Sequence, residues 1–100
     1  MRPKIEISSQ ALNDLDEIVD YIAQDNPETA ENFGKELVKA AYALEKSPFM
    51  GAVIEERPDV RMIVYRPYLI FYTIDEADNR IEIARFWHGA RDRKGLNFDL

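Results

Sequence analysis

The residues best suited to chemistry lie near the C-terminus, where an apolar run ends in charged and ionisable side chains. The run reads Ile83-Ala84-Arg85-Phe86-Trp87-His88-Gly89-Ala90-Arg91-Asp92-Arg93. This pattern predicts a buried strand that delivers a histidine and arginines to the edge of a rigid sheet, where a partner can meet them. Guanidinium groups bind carboxylates and phosphates through forked hydrogen bonds, and imidazole exchanges protons near neutral pH.

Simpler structural roles compete for the same side chains. A histidine at a strand end commonly donates to a backbone carbonyl, and Arg91 beside Asp92 can tie the tail to the sheet through an ion pair. Strand alternation places Arg85 on the same face as Ile81 and Ile83. If that face is covered, Arg85 must find a carboxylate or a partner.

Charge is distributed unevenly along the chain. Residues 1–50 contain five Lys and Arg against ten Asp and Glu, whereas residues 51–100 contain eight against nine, and seven of those eight are Arg. The arginine enrichment favours a recognition surface in the second half. The net charge of −6 argues against direct nucleic-acid binding, which depends on a cationic surface.

Composition sets further bounds. The 100 residues, 46% of them hydrophobic, predict one domain over residues 1–100. There is no cysteine and one histidine, so neither a metal site nor any cofactor is expected. No apolar run approaches the roughly 18–20 residues that span a bilayer, and the N-terminal residues lack the apolar middle of a secretory signal, so a cytoplasmic protein away from membranes is expected.

Two amphipathic helices are predicted in the first half. Ser8 and Ser9 are capping residues for the first, and Asn26-Pro27 starts the second, which ends at Ser47-Pro48. The charged residues between the apolar positions, among them Asp14, are expected to face solvent. The apolar stripes are Ala11, Leu12, Leu15, Ile18, Val19 and Ile22 in the first helix, and Ala30, Phe33, Leu37, Ala40, Ala41 and Leu44 in the second.

Strands are predicted at residues 4–7, 61–65, 68–74 and 80–87, from β-branched and aromatic runs. Arg66-Pro67 is expected at a turn or an edge, and residues 75–79 form a hairpin turn. The order β-α-α-β-β-β predicts an α+β fold, with a helical hairpin packed on one face of a small antiparallel sheet. Its other face is expected to be a concave binding surface.

Taken in order, these segments resemble the RelE/ParE superfamily of toxins from type II toxin-antitoxin systems. The resemblance covers nearly the whole chain and is closer to ParE-like than to RelE-like members. It is carried by Ala11-x-x-Asp14-Leu15-x-x-Ile18-x-x-Tyr21-Ile22, Asn26-Pro27-x-x-Ala30-x-x-Phe33, Leu44-x-x-x-Pro48-x-x-Gly51, Val60-Arg61, Tyr68-Leu69-Ile70-Phe71-Tyr72 and His88-Gly89-Ala90-Arg91-Asp92.

The resemblance implies a toxin that is neutralised by a small ParD-like antitoxin in a hetero-oligomer. ParE-like members bind DNA gyrase and block replication without any proton-transfer apparatus, and the His-Gly-Ala-Arg-Asp ending is most similar to theirs. By this analogy the protein is an inhibitor rather than an enzyme. The residues expected to bind the target are Arg61, Arg85, His88, Arg91 and Arg93.

RelE-like members instead cut messenger RNA on the ribosome, which requires a base, an acid and cations around the phosphate. By analogy with them, Arg61, His88 and Arg91 are the catalytic candidates. Two departures weaken this alternative. The central strand opens with Tyr68-Leu69 where those enzymes have Tyr-Arg, and no tyrosine follows Arg91.

The antitoxin is expected to add an amphipathic helix in a groove or a strand at a sheet edge. Phe33, Phe49, Phe86 and Trp87 are the candidate aromatic anchors for it. A third alternative is an inactive paralogue that binds an antitoxin but neither inhibits gyrase nor cuts RNA. The weakened ribonuclease set and the acidic composition keep that alternative open.

Overall fold

The computed structural model of the chain describes residues 1–98. It confirms the predicted α+β fold and adds one short strand ahead of the predicted sheet hairpins. The elements are β1 (Lys4–Ile7), α1 (Ser9–Ala23), α2 (Pro27–Tyr42), β2 (Ala52–Val53), β3 (Val60–Tyr65), β4 (Tyr68–Asp75) and β5 (Arg80–His88), with 3₁₀ turns at Ala43–Glu45 and Arg93–Gly95.

Both helices begin where local chemistry predicts. The Ser8 side chain accepts a hydrogen bond from the Ala11 N–H at the start of α1. At the start of α2 the Asn26 side chain accepts from Thr29, and Pro27 occupies the first turn, where a backbone N–H has no helical partner. These caps satisfy donors that the first turn of a helix leaves unpaired.

The sheet has the strand order β1-β5-β4-β3-β2. Three of its four pairings are antiparallel, as expected, but β1 pairs with β5 in parallel. The sheet is therefore mixed rather than purely antiparallel. Parallel neighbours need a long crossover, and here the helical hairpin and the three intervening strands separate β1 from β5 along the chain.

Each face of the sheet carries its own hydrophobic cluster. The face under the helices holds the larger one, which joins α1, α2 and inward residues of β4 and β5. The opposite face was expected to be an open concave surface, but the C-terminal tail covers part of it. Its cluster consists of Ile54, Val60, Phe71, Ala84 and Trp87, with Met62, Leu69, Leu96 and Phe98 packed against them.

A β-bulge interrupts β5 just before the candidate site. Phe71 of β4 pairs with Arg85 and Tyr72 pairs with Ile83, so Ala84 has no partner on β4. A bulge of this kind inserts one residue and re-aims the side chains that follow it. The simple alternation that grouped Arg85 with Ile81 and Ile83 is therefore wrong at Arg85.

None of the helices within residues 1–98 has the length and apolarity needed to cross a membrane. In that same part of the chain, no group of three or more His, Asp and Glu side chains is arranged to hold a metal ion.

Candidate functional site

Side chains at the start of α1 and within it bind the backbone of β5 beyond the point where β1 ends. The last residue of β1 is Ile7, and past it the backbone of β5 would be unpaired on that side. The Ser8 hydroxyl donates to the Ala84 carbonyl at 3.0 Å, and the Asp14 carboxylate accepts from the Phe86 N–H at 3.1 Å. These two side chains satisfy buried backbone groups that a neighbouring strand would otherwise bind.

Asp14 also forms the central ion pair of the site. Its two carboxylate oxygens accept from Arg85 Nε at 2.7 Å and from Arg85 Nη2 at 2.9 Å, in the forked geometry typical of strong pairs. The side chains are only 10% and 13% exposed. The third arm of the guanidinium donates to the Asn97 carbonyl, and the bond to Asp14 raises the pKa of Arg85 above its usual value.

The burial of Asp14 overturns the expectation that it faces solvent, because the residue is 8% exposed. The signal that could have found it is its spacing. Asp14 lies three residues after Ala11 and four before Ile18, the other two buried residues of α1, so it belongs to the buried stripe. Because a buried charge needs a partner, an aspartate on an apolar helix stripe and an arginine in an apolar strand are expected to pair with each other.

Trp87 carries a second arginine on its ring. The Arg91 guanidinium lies 3.9 Å from the ring centroid, and that of Arg85 lies 5.2 Å away. The tryptophan is 2% exposed, and its Nε1 donates to the Arg91 carbonyl at 3.4 Å. A buried ring thus holds an exposed guanidinium at a defined position on the surface.

Among residues 1–98, Arg91 has no carboxylate within ion-pair distance. Arg57, Arg85 and Arg93 do have one each, so the other arginines near the tail are neutralised. The neighbouring Asp92 does not pair with Arg91, and its carboxylate accepts from the Lys94 N–H. Arg91 therefore keeps its forked donors available.

His88 is oriented by the turn that follows β5. The Ala90 N–H donates to its Nδ1 at 3.0 Å, so this nitrogen is deprotonated and the proton of the neutral ring is on Nε2. The expectation that His88 donates to a backbone carbonyl is wrong at Nδ1, which accepts. The imidazole meets the Tyr68 ring edge-on at 5.1 Å. Burial raises the pKa of the Tyr68 phenol.

These side chains border an open cavity of about 380 Å³, which we call the strand-end cleft. One wall carries the donors of His88 and Arg91, and the other is the side of α1 that carries Glu17 and the largely exposed Tyr21. At its rim Arg91 offers the forked donors that an acidic group of a partner can accept. The cleft is lined by Asp14, Glu17, Ile18, Tyr21, Tyr68, Phe86, His88 and Arg91.

Arg61, also predicted to bind the target, lies away from this cleft and stabilises the loop before β2. Its guanidinium donates to the Gly51 carbonyl at 2.7 Å and to that of Phe49 at 3.4 Å. The Tyr72 hydroxyl accepts from the Gly51 N–H and donates to the Pro48 carbonyl. A Cβ on residue 51 would lie 2.6 Å from that hydroxyl, so only glycine fits this approach.

Arg93 lies on the face of the sheet that the tail covers. It pairs with Glu56 at 3.3 Å, and its Nη1 is 3.5 Å from the Met62 sulfur. Of the five residues predicted to bind the target, the structure brings His88 and Arg91 together in the cleft. Arg85 lies behind them in the pair with Asp14, and Arg61 and Arg93 are elsewhere.

The four candidate antitoxin anchors differ in exposure. Phe86 and Trp87 are each 2% exposed and belong to the two hydrophobic clusters, so little of either ring is open to a partner, although Phe86 borders the strand-end cleft. Phe33 is half-buried against two tyrosine rings. Phe49 is 57% exposed and is the one whose ring is open to solvent.

Comparison with known proteins relates the chain to toxin-antitoxin systems. A sequence profile of the family described as ParE toxin of type II toxin-antitoxin system, parDE, matches residues 5–93. No curated protein sequence matches the chain significantly.

Solved structures with a similar fold include two from toxin-antitoxin systems. One is from the chromosomal ParDE toxin-antitoxin system of P. aeruginosa, with a TM-score of 0.74 and 24% identity over 87% of this chain and 96% of that chain. The other is from the RelBE2 toxin-antitoxin complex of Mycobacterium tuberculosis, with a TM-score of 0.65 and 18% identity over 88% and 99%. At these identities the likeness concerns the fold.

Proposed function

This chain belongs to the ParE toxin family of type II toxin-antitoxin systems, and from that premise we propose that it inhibits DNA gyrase in the cytoplasm and thereby blocks replication. The strand-end cleft is the surface that engages gyrase, with His88 and Arg91 as its principal contacts. A ParD-like antitoxin neutralises the toxin in a hetero-oligomer. The two structures compared above come from toxin-antitoxin systems, which supports the antitoxin as a partner.

The observation that carries the proposal is the position of Arg91. Its guanidinium is exposed, lies 3.9 Å from the centroid of a buried tryptophan ring and has no carboxylate partner within residues 1–98. Because the ring orients the cation in advance, little side-chain freedom is lost when an acidic group binds. Inhibition by binding needs such a contact and no proton transfer.

The direct test is a supercoiling and cleavage assay with purified gyrase, ATP and the toxin, with and without antitoxin. We expect cleaved DNA to accumulate with toxin dose and the antitoxin to prevent it. Arg91→Ala should reduce inhibition at least about tenfold, the order of one lost charged contact. Arg80→Ala removes an arginine that is paired with carboxylates at the opposite end of β5, and as the control it should inhibit normally. Full inhibition by Arg91→Ala would exclude the strand-end cleft as the surface that engages gyrase.

Messenger RNA cleavage is the second candidate, because the Nε2–H of His88 and the Arg91 guanidinium border the same cleft. Arg61, the third catalytic candidate for this reaction, argues against it, because Arg61 is bound to two loop carbonyls and does not line the cleft. We expect purified toxin to leave messenger RNA intact on programmed ribosomes. Codon-dependent cleavage there would reverse the ranking, and a protein harmless in cells without its antitoxin would be the inactive paralogue.

A further inference from the structure

A second concave surface lies on the outer side of the helical pair. It is an open cavity of about 430 Å³ between α1 and α2, which we call the hairpin groove. It is separate from the strand-end cleft and shares no lining residue with it. The groove is lined by Leu15, Asp16, Val19, Asp20, Glu31, Gly34, Lys35 and Val38.

The floor of the groove is apolar. Leu15, Val19 and Val38 are half-buried there, although Val19 and Val38 belong to neither hydrophobic cluster of the core. Gly34 brings the helices close at this point, because a Cβ on residue 34 would lie 2.9 Å from a Val19 methyl group. The two valines thus present apolar surface that the fold itself leaves uncovered.

The apolar surface continues along both helices. Leu12 is 48% exposed and lies seven residues before Val19, which is about two helical turns on the same side of α1. Tyr42 is 43% exposed and lies four residues after Val38 on α2. Together these positions form a band long enough to accept two to three turns of a partner helix.

Acidic side chains border this band. Asp16 and Asp20 on α1 have no ion-pair partner among residues 1–98, and Glu31 faces them from α2. The single cation at the rim is Lys35, whose ammonium lies 3.2 Å from Glu31 and is therefore neutralised within α2. The rim thus has an uncompensated negative charge over an apolar floor.

The groove and the cleft lie on opposite sides of α1. Successive helix residues are rotated by about 100°. Asp14, Glu17, Ile18 and Tyr21, which line the cleft, therefore point roughly 180° away from the residues of α1 that line the groove. A partner seated in the groove leaves the surface around Arg91 accessible.

From this geometry we propose that the hairpin groove binds a basic amphipathic helix of a protein partner. An apolar stripe at positions i, i+3, i+4 and i+7 covers the floor, and flanking Lys and Arg residues face Asp16 and Asp20. A second copy of this chain is a poor occupant, because its own acidic rim and net charge of −6 repel it. The inference does not depend on which target the strand-end cleft engages.

The test uses the isotope-labelled full chain and two synthetic peptides of about 15 residues, a length at which isolated helices begin to form. Both carry leucines at i, i+3, i+4 and i+7, and their flanks are Lys and Arg in one and Glu in the other. We expect the basic peptide to shift the amide resonances of Leu15, Val19, Gly34 and Val38 and to bind at least tenfold more tightly than the acidic one. Its affinity should fall as salt rises.

Charge-matched variants separate the groove from general attraction. Asp16→Lys with Asp20→Lys should weaken basic-peptide binding about tenfold or more, the effect of a 1.4 kcal/mol loss. Glu76→Lys with Asp78→Lys makes the same charge change in the exposed β4–β5 turn and should preserve binding. Arg91→Ala should also preserve binding, so failure of the gyrase proposal leaves this result unaffected.

Three results would overturn the inference. One is equal weakening by the two double variants, which would indicate non-specific charge attraction. Another is a set of shifts centred outside the groove. The third is groove shifts that depend on protein concentration alone, since these would identify a second copy of the chain as the occupant.

Discussion

Arg85 and Arg91 contact the same tryptophan ring, yet their surroundings give them different roles. Arg85 is 13% exposed, is held by both oxygens of Asp14 and donates its remaining arm to a backbone carbonyl. Arg91 is exposed, and within residues 1–98 its guanidinium contacts the Trp87 ring but no carboxylate. The first arginine stabilises the fold, and the second is available for recognition.

The difference shows that residue type and proximity along the chain do not assign a role to an arginine. A buried guanidinium must be paired, because leaving it unpaired costs several kcal/mol. An exposed one incurs little cost when unpaired and can be kept for a partner. Burial and the nearest carboxylate therefore decide which arginine of the strand-end cluster is functional.

The largest effect is expected from Asp14→Ala, which removes the acceptor of Arg85 Nε and Nη2 and of the buried Phe86 N–H. We expect the free energy of unfolding in urea to fall by about 3–5 kcal/mol. Asp16→Ala removes an exposed aspartate from the same helix and should change it by about 0.5 kcal/mol or less. If Asp14→Ala cost no more than this control, the pair would be equivalent to a surface pair and the contrast with Arg91 would disappear.

Arg61 is a third arginine with a structural role, and the loop that it binds is also held by the Tyr72 hydroxyl. Tyr72→Phe removes the hydroxyl that the buried Gly51 N–H needs, and should lower the free energy of unfolding by about 1–3 kcal/mol. Tyr21→Phe alters a tyrosine that is 70% exposed and should have no measurable effect. An unchanged stability in Tyr72→Phe would mean that the loop does not depend on this anchor.

The buried Tyr72 hydroxyl should also make the free energy of unfolding depend on pH. Burial raises the pKa of Tyr72, so its neutral form is favoured in the folded state. The resulting stabilisation is fully present below the unfolded tyrosine pKa of about 10 and is lost as pH rises through the folded pKa. The stability difference between wild type and Tyr72→Phe, measured by urea unfolding between about pH 8 and 11, should therefore shrink with rising pH. A difference that grows would contradict the assigned direction.

The smallest stability effect is expected from Arg91→Ala. An exposed cation over an aromatic ring contributes about 0.5–1 kcal/mol, so the variant should remain folded with a loss of about 1 kcal/mol or less. Urea unfolding beside Asp14→Ala is the measurement. A loss of stability as large as that of Asp14→Ala would make Arg91 a structural residue. Any loss of gyrase inhibition by the variant would then follow from its destabilised fold.

Local patterns predicted much of the fold. The caps Ser8 and Asn26 and the apolar stripes located both helices, and β-branched runs located the three long strands to within about one residue at most ends. The two-residue strand β2 was missed because it has no sequence pattern of its own. The parallel pairing of β1 with β5 was missed because strand neighbours far apart in the chain leave no local signal.

The candidate site was predicted in part. His88 and Arg91 were identified by type and position, and they do meet in one cleft. Asp14 was missed because its acidic neighbours on α1 are solvated, and their abundance hid its place on the buried stripe. Phe86 and Trp87 were expected at an interface, but an aromatic residue in a strand has the same sequence pattern whether a core or a partner covers it.

The sequence by itself determined the helices, the long strands, the family resemblance and the cluster of cations after β5. These features depend on periodicity, capping and composition, which act over a few neighbouring residues. Only the tertiary structure decided which cation is paired. Arg85 and its carboxylate are 71 residues apart, and the bulge at Ala84, the end of β1 and the docking of α1 together bring them within 2.7 Å. Such a contact depends on long-range packing, and the availability of Arg91 follows from the same packing.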